Sequence, residues 1–210
     1  CGGCVFAAAT SPRFARSRID EGADGLVLVC AGAGGHTGEY AMLPFIEEVR
    51  QFFDGPLIVG GGIGTGRAVR AVESMGADFA YLGTRFLAAQ ETLISDPYRA
   101  MGWESHMEDL VASRAITGAL GLWMQASVQA AGLSLDDMNS NAKIDFSGDM
   151  HSSSKAWKTV WSAGQGVGLV QAQESIAEIV DGLKQGYSAA VQAQQMGSTY
   201  LAPSTLGPSP

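Results

Sequence analysis

The 210-residue chain contains little cysteine, little proline and few basic residues. It has 3 Cys, 7 Pro and 13 Lys plus Arg against 21 Asp plus Glu, which gives a formal net charge of -8. Because the few cations are scattered, there is no electrostatic footprint for a nucleic-acid backbone, and we expect no nucleic-acid partner. No apolar run approaches the roughly 18 residues that span a bilayer, and no basic-then-apolar leader opens the chain. We therefore expect a soluble, cytoplasmic protein without a membrane partner.

The three cysteines are Cys1, Cys4 and Cys30, of which the first two form a C-x-x-C pair. A structural zinc site needs a second pair of ligands, and the sequence offers none at a suitable spacing. A redox pair would normally sit between a strand and a helix, whereas this pair lies at the start of the sequence. We interpret the cysteines as free thiols and predict no metal site.

Short apolar runs alternate with helical patterns through the first half of the sequence. The runs lack strict alternation, which is typical of parallel strands buried on both faces. They lie at Val5–Ala9, Gly25–Cys30, Pro56–Val59 and Phe79–Leu82, and helices are predicted at Pro12–Glu21, Ala41–Phe52, Ala68–Met75 and Arg85–Glu91. Four βα units predict an α/β fold, either a doubly wound parallel sheet or a barrel. In both folds the ligand binds at the carboxyl ends of the strands.

The second half of the sequence has a different pattern. Helical segments are predicted at Glu108–Arg114 and Gly121–Ala131, and an irregular polar stretch follows to Lys155. An apolar stripe beginning at Ile176 predicts a last helix that ends near Gln194.

These patterns divide the chain into four regions. Residues 1–103 would form the βα part, and residues 104–155 a helical insertion with its loop. Residues 156–194 would provide a loop and the helix that completes the barrel domain. The Pro- and Ser-containing end, residues 195–210, is expected to be disordered.

His36 is the first candidate for chemistry. It lies in Ala33-Gly34-Gly35-His36-Thr37-Gly38, directly after a predicted buried strand. The backbone of Gly34 and Gly35 could approach a flat ligand closely, which makes both glycines cofactor-binding candidates. Imidazole exchanges protons readily near neutral pH, so His36 suits the role of general base. The alternative is a loop histidine that only hydrogen-bonds the backbone, and this is our interpretation neither here nor of the site; His106 and His151 lack such surroundings and are expected to be exposed.

Two further glycine loops follow consecutive predicted strands. They contain Gly60-Gly61-Gly62 and Gly83-Thr84. In βα barrels the loops after the last two strands commonly bind phosphate through backbone N–H groups, and Thr84 could add a hydroxyl donor. Glycines that merely form tight turns are the alternative, but two such loops in succession favour phosphate binding. No acidic residue follows at dinucleotide spacing, so a tightly bound NAD is not predicted.

Taken together, these motifs resemble those of the nitronate monooxygenases, formerly called 2-nitropropane dioxygenases, in order and spacing. The resemblance extends from about Val5 to Tyr187. Its motifs are Ala33–Gly38, Pro56–Ile63, Leu82–Phe86, Ala115–Gly118, Ala130–Ser134 and the stretch from Trp157 to Gly166.

The resemblance implies the carboxyl-terminal portion, about four βα units, of a (β/α)8 TIM-type flavin barrel with a carboxyl-terminal helical addition. It implies FMN as cofactor, and oxidation of an alkyl nitronate or nitroalkane by O2 to a carbonyl compound and nitrite. The family's catalytic histidine falls on His36. Its FMN phosphate glycines fall on Gly61 and Gly62 and on Gly83 with Thr84, and Gln165 is a flavin-proximal candidate.

The family's amino-terminal half, which should supply the first four strands, has no counterpart in this sequence. A half barrel would leave two strand edges unpaired, so we expect a homo-oligomer formed through these edges, aggregation, or a fragment of a longer enzyme. Two other functions stay open. One is a flavin enoyl-acyl-carrier-protein reductase or an NAD(P)H:quinone reductase, and the other is a non-catalytic truncated barrel that acts as a binding module.

Overall fold

The structure is a computed structural model that describes residues 2–139 and 160–196. The polar stretch after Asn139, His151 and the expected disordered tail after Met196 lie outside the described residues. The strands are β1 (Phe6–Ala9), β2 (Gly25–Val29), β3 (Gly35–His36), β4 (Leu57–Gly60), β5 (Phe79–Tyr81), β6 (Leu110–Ser113) and β7 (Gly121–Met124). The α-helices are α1 (Pro12–Asp20), α2 (Met42–Arg50), α3 (Gly66–Ser74), α4 (Asp96–Glu104), α5 (Gln125–Ala130), α6 (Leu135–Asn139) and α7 (Ile176–Gln195). Short 3-10 turns lie at Thr84–Phe86, Met107–Asp109 and Val167–Leu169.

Hydroxyl side chains cap three of the helices. Ser11 accepts a hydrogen bond from the Phe14 backbone N–H at the start of α1, and Thr65 accepts one from Ala68 at the start of α3. Ser175 and Glu178 form a capping box at the start of α7. Such caps satisfy backbone donors that the helix itself leaves unpaired. The predicted helices α1, α2, α3 and α7 are confirmed to within a few residues.

Four parallel strands form the main sheet in the order β1-β2-β4-β5. The order follows the sequence without the reversal that a doubly wound sheet requires, so the barrel-type alternative is confirmed. Leu26, Leu28, Leu57 and Val59 point to one face and are fully buried against the helices. The opposite face is more open at its edge, where Phe79 and Tyr81 are exposed. Only one face of this sheet is therefore covered by helices.

Helix α7 packs against α3, and the two backbones approach each other closely at Gly66. A Cβ atom at Gly66 would collide with the Leu183 carbonyl oxygen and the Tyr187 backbone nitrogen of α7. The Tyr187 hydroxyl donates a hydrogen bond to Glu73 at 2.5 Å. The last helix thus packs on the βα part of the chain, as a helix of that domain would.

The prediction for residues 108–131 was wrong in two places. Instead of two helical segments, the structure has β6 and then β7 followed by the short helix α5. All four residues of β7 are buried, so its apolar run shows no alternation, and periodicity alone cannot distinguish such a run from a buried helix. Helix α4 was not predicted. The helix predicted over Arg85–Glu91 is reduced to the 3-10 turn Thr84–Phe86.

Strands β6 and β7 form an antiparallel hairpin that pairs with β3 in a second sheet of order β3-β7-β6. Strand β3 lies within the segment that the sequence predicts to be a loop. In this sheet His36 is paired with Gly121, and Gly35 with Leu122. The second sheet therefore fixes the backbone of the candidate catalytic residue against a segment more than 80 residues away in sequence.

Candidate functional site

A cavity of about 340 Å³ lies at the carboxyl ends of β2, β4 and β5. The structure brings most of the predicted site residues together here: the lining includes Gly34, Gly35, His36, Gly61, Gly62, Gly83 and Thr84. Gln165 does not line this cavity. It lines an adjoining cavity that also contacts Gly61 and Gly62. The main cavity is at the small end of the range of about 300–1,000 Å³ for ligand pockets.

The glycine loop after β4 adopts a backbone that favours glycine. Gly61 has a φ of 151° and Gly62 a φ of 67°. A Cβ atom at Gly61 would lie only 3.0 Å from both the Ala31 carbonyl oxygen and Cys30 Cβ. A larger residue at Gly61 would therefore be strained by its backbone angle and crowded by the neighbouring loop. The main chain here can approach a ligand without an intervening side chain.

Thr84 lies on the far side of the same loop cluster and links it to a later segment. The Gly164 backbone N–H donates a hydrogen bond to Thr84 Oγ1 at 2.8 Å. The Gln165 backbone N–H donates to the Gly32 carbonyl oxygen at 2.9 Å. A Cβ atom at Gly34 would lie 2.7 Å from the Gly164 nitrogen. Gly34 thus permits close packing of two backbone segments beside the cavity.

His36 enters the cavity from the second sheet. Its Nε2 atom lies 3.2 Å from Thr117 Oγ1, a hydrogen bond across 81 residues of sequence. The following residue, Thr37, donates its backbone N–H to the Leu120 carbonyl oxygen at 3.0 Å. The His36 side chain is exposed, so the ring is reachable from solvent and from the cavity. Substrate access and proton exchange are both compatible with this position.

The wall opposite the glycine loops contains residues that the sequence did not single out. Tyr98 of α4 donates its hydroxyl hydrogen to the Ser162 carbonyl oxygen at 2.5 Å. Its ring stacks on Trp161 with 5.0 Å between the ring centroids. Burial raises the pKa of Tyr98 above its ordinary value, so the phenol is neutral at neutral pH. Ser162 and Trp161 belong to a motif quoted above, whereas no signal marked Tyr98 because its helix was not predicted.

The thiols differ in their surroundings. Cys30, at the end of β2, is buried, and desolvation raises its pKa from an ordinary value of 9.0 to about 12. Its thiol is therefore protonated and unreactive at neutral pH. Cys4 is exposed, and both are free thiols, while Cys1 lies outside the described residues.

The remaining predictions concern His106 and long apolar helices. His106 is exposed, as predicted, and lines only the adjoining cavity. Over residues 2–139 and 160–196, no three His, Cys, Asp or Glu side chains are grouped so that they could hold a metal ion. In the same part of the chain, no helix combines the length and apolarity needed to cross a bilayer.

Parallel strands in sequential order, with a cavity at their carboxyl ends, define a protein of the βα-barrel class. Solved structures agree. A nitroalkane oxidase from Streptomyces ansochromogenes superposes with a TM-score of 0.75 at 25% identity, covering 92% of this chain and 60% of that one. FabK from Thermotoga maritima superposes with a TM-score of 0.74 at 20% identity, covering 93% and 64%, which shows the fold alone.

A sequence model described as nitronate monooxygenase matches residues 1–186, and the chain therefore belongs to the nitronate monooxygenase family. A Staphylococcus aureus (strain JH9) protein named "Probable nitronate monooxygenase" is 32% identical over 126 residues, covering 55% of this chain and 36% of that protein. A Rhodococcus jostii (strain RHA1) protein, named as a dehydrogenase of an indene-carboxyl-CoA compound, is 30% identical over 106 residues, covering 50% and 30%. The matches thus span about a third of the length of these curated relatives.

Proposed function

We propose that this chain forms the phosphate-binding and proton-transferring side of an FMN-dependent enzyme that oxidises alkyl nitronates with O2. One observation carries the proposal. A single cavity holds His36 together with the glycine loops after two consecutive barrel strands. Membership of the nitronate monooxygenase family supports the reaction, and the nitroalkane oxidase neighbour supports a nitro-compound substrate.

The residues present fit a bound flavin mononucleotide. Gly61 and Gly62 have backbone angles that only glycine adopts readily, and a Cβ atom at Gly83 would meet no protein atom within 4 Å. This leaves an open cradle of main chain in which backbone N–H groups would hold a phosphate. The Thr84 oxygen accepts from Gly164, which leaves the hydroxyl hydrogen for a phosphate oxygen. Bound here, FMN would supply the redox chemistry.

The roles of the chain's own side chains follow from their positions. Val27, Val29 and Ile63 give the cavity an apolar lining that excludes water from a flat ring. His36 would orient a nitronate anion, or remove the carbon-bound proton if a neutral nitroalkane binds. Gln165 contacts the same glycine loop from the adjoining cavity, so we assign it a supporting position near the cofactor.

Titration of the purified protein with FMN, followed by quenching of flavin fluorescence, tests the cofactor assignment. We expect saturable quenching, which FMN should produce more strongly than riboflavin because the glycine loops bind the phosphate. Equal affinity for FMN and riboflavin, or no quenching, would contradict the proposed phosphate site. Nitrite release from an alkyl nitronate then tests the substrate.

A flavin reductase or dehydrogenase is the second candidate, and the Rhodococcus jostii dehydrogenase favours it. The two functions differ in what reduces the flavin. Anaerobic mixing of the FMN-loaded protein with an alkyl nitronate, with NADH or with NADPH should bleach the flavin absorbance only with the nitronate. Rapid bleaching by NADH or NADPH would favour a reductase instead. If the protein binds no FMN even beside a complete amino-terminal half, a non-catalytic binding module is the better description.

A further inference from the structure

We propose that Thr117 is a positioning residue for His36, holding the imidazole in one orientation with its proton on Nε2. The proposal deepens the proposed function, since its effect on turnover depends on the role of His36 there. Its structural content, the orientation and protonated nitrogen of His36, can be tested without cofactor or substrate.

The hydrogen bonds of the Thr117 hydroxyl carry the argument. A hydroxyl has one hydrogen to donate and two lone pairs with which to accept. Thr117 Oγ1 donates to the Ala119 carbonyl oxygen at 3.0 Å and accepts from the Ala119 backbone N–H at 3.3 Å. His36 Nε2 lies 3.2 Å from the same oxygen. Because the one hydroxyl hydrogen is used on Ala119, the remaining lone pair is best matched by an Nε2–H donor.

The protonated nitrogen decides which atom of the ring is basic. A neutral imidazole protonated at Nε2 has its lone pair on Nδ1, so in this arrangement Nδ1 is the proton-accepting atom of His36. A fixed partner on one ring nitrogen is a common way in which proteins select a histidine tautomer.

The position of Thr117 is itself well defined. It lies in the turn between β6 and β7, where the preceding residues Ala115 and Ile116 are buried. Gly118 follows with a φ of 83° and donates its backbone N–H to the Arg114 carbonyl oxygen at 2.7 Å. The hairpin is paired through β7 to β3, the strand that carries His36. Both ends of the side-chain hydrogen bond therefore belong to one sheet.

Replacement of Thr117 by Val and by Ser tests the proposal. Val keeps the branched shape and removes the hydroxyl, whereas Ser keeps the hydroxyl and serves as the matched control. We would record heteronuclear NMR spectra of the imidazole nitrogens of His36, assigned with His36→Asn, in the protein without FMN. We expect Nε2 to be the protonated nitrogen in the native protein and in Thr117→Ser. In Thr117→Val the tautomer population should shift toward Nδ1–H.

An Nδ1–H tautomer in the native protein, or identical tautomer populations in native protein and Thr117→Val, would overturn the proposal. The kinetic expectation is a fall in kcat of about tenfold for Thr117→Val, with KM and FMN affinity little changed and activity restored in Thr117→Ser. The two hypotheses fail separately. Loss of FMN binding or of nitronate turnover in the native protein contradicts the proposed function but leaves the NMR test of Thr117 intact.

Discussion

Two sheets border the candidate site, and they contribute to it in different ways. The parallel sheet presents main chain: the loops after β4 and β5 reach the cavity through Gly61, Gly62 and Gly83. The small antiparallel sheet presents a side chain, His36, held by hydrogen bonds to the β6–β7 hairpin. One border is thus suited to binding a phosphate and the other to moving a proton. The comparison teaches that affinity and chemistry depend on separate parts of the fold, so they should respond separately to substitution.

The largest effect is expected at the side-chain border. His36→Asn removes the titrating imidazole but keeps a polar side chain on β3. We expect kcat with an alkyl nitronate or nitroalkane to fall by about a hundredfold or more, while the Kd for FMN changes by less than about twofold. Steady-state nitrite release and flavin fluorescence measure the two quantities. His106→Asn, in an exposed histidine outside the main cavity, is the matched control, and retained turnover in His36→Asn would remove His36 from the chemistry.

Substitution at the main-chain border should give the reverse pattern. In Gly61→Ala the new Cβ would lie 3.0 Å from Ala31 O and Cys30 Cβ at a φ of 151°. We expect the free energy of unfolding to fall by about 1–3 kcal/mol and FMN affinity to fall by about tenfold.

Gly182→Ala is the control, since Gly182 lies in α7 without neighbours within 4 Å of the added carbon. It should raise stability by about 0.5–1 kcal/mol and leave FMN binding unchanged. Urea unfolding and FMN titration would reveal the difference. Normal FMN affinity in Gly61→Ala would argue against a phosphate at this loop.

Cys30 tests how rigid the support beneath the main-chain border is. Its pKa is raised by burial from 9.0 to about 12, so its stabilising contribution is full below pH 9 and is lost as the pH rises from about 9 toward 12. We expect the native protein to lose up to about 1.4 kcal/mol more per pH unit across this window than Cys30→Ala does. Chemical unfolding at several alkaline pH values measures the slopes. Equal slopes, or rapid alkylation of Cys30 alongside exposed Cys4 at neutral pH, would contradict the burial of this thiol.

The smallest effect is expected from the ion pair between Arg114 and Glu39. Its atoms are 3.1 Å apart, but the two side chains are 45% and 66% exposed, so solvent screens the attraction. Arg114→Gln should change the free energy of unfolding by less than about 0.5 kcal/mol and kcat by less than about twofold. A larger change in kcat would show that the ion pair, and not Thr117 with the β3–β7 pairing, holds the hairpin against His36.

The parallel sheet was largely predictable from sequence because each of its elements is signalled locally. The apolar runs of β1, β2, β4 and β5, and the helix starts at Ser11 and Thr65, lie within a few residues of each other and repeat in a regular order. The glycine-rich loops could be placed at the carboxyl ends of the strands for the same reason. Their convergence on one cavity follows from parallel pairing.

The hairpin was not predictable in the same way. Strand β7 is buried along its whole length, and its apolar residues therefore carry no period that separates strand from helix. Tyr98 and Thr117 were missed as site residues because each is defined by a partner far away in sequence: Ser162 for Tyr98 and His36 for Thr117. Nothing in the local sequence encodes such a pairing.

By itself, the sequence determined the βα order, the glycine loops, His36 as the candidate catalytic residue and the nitronate monooxygenase family. These depend on residue type and short-range spacing, which are properties of a linear chain. The tertiary structure decided which groups support that histidine, which glycines contact a ligand space and which only pack against Gly164. Those choices depend on contacts between segments that are distant in sequence, and such contacts arise only when the hydrophobic faces of separate elements are buried against one another.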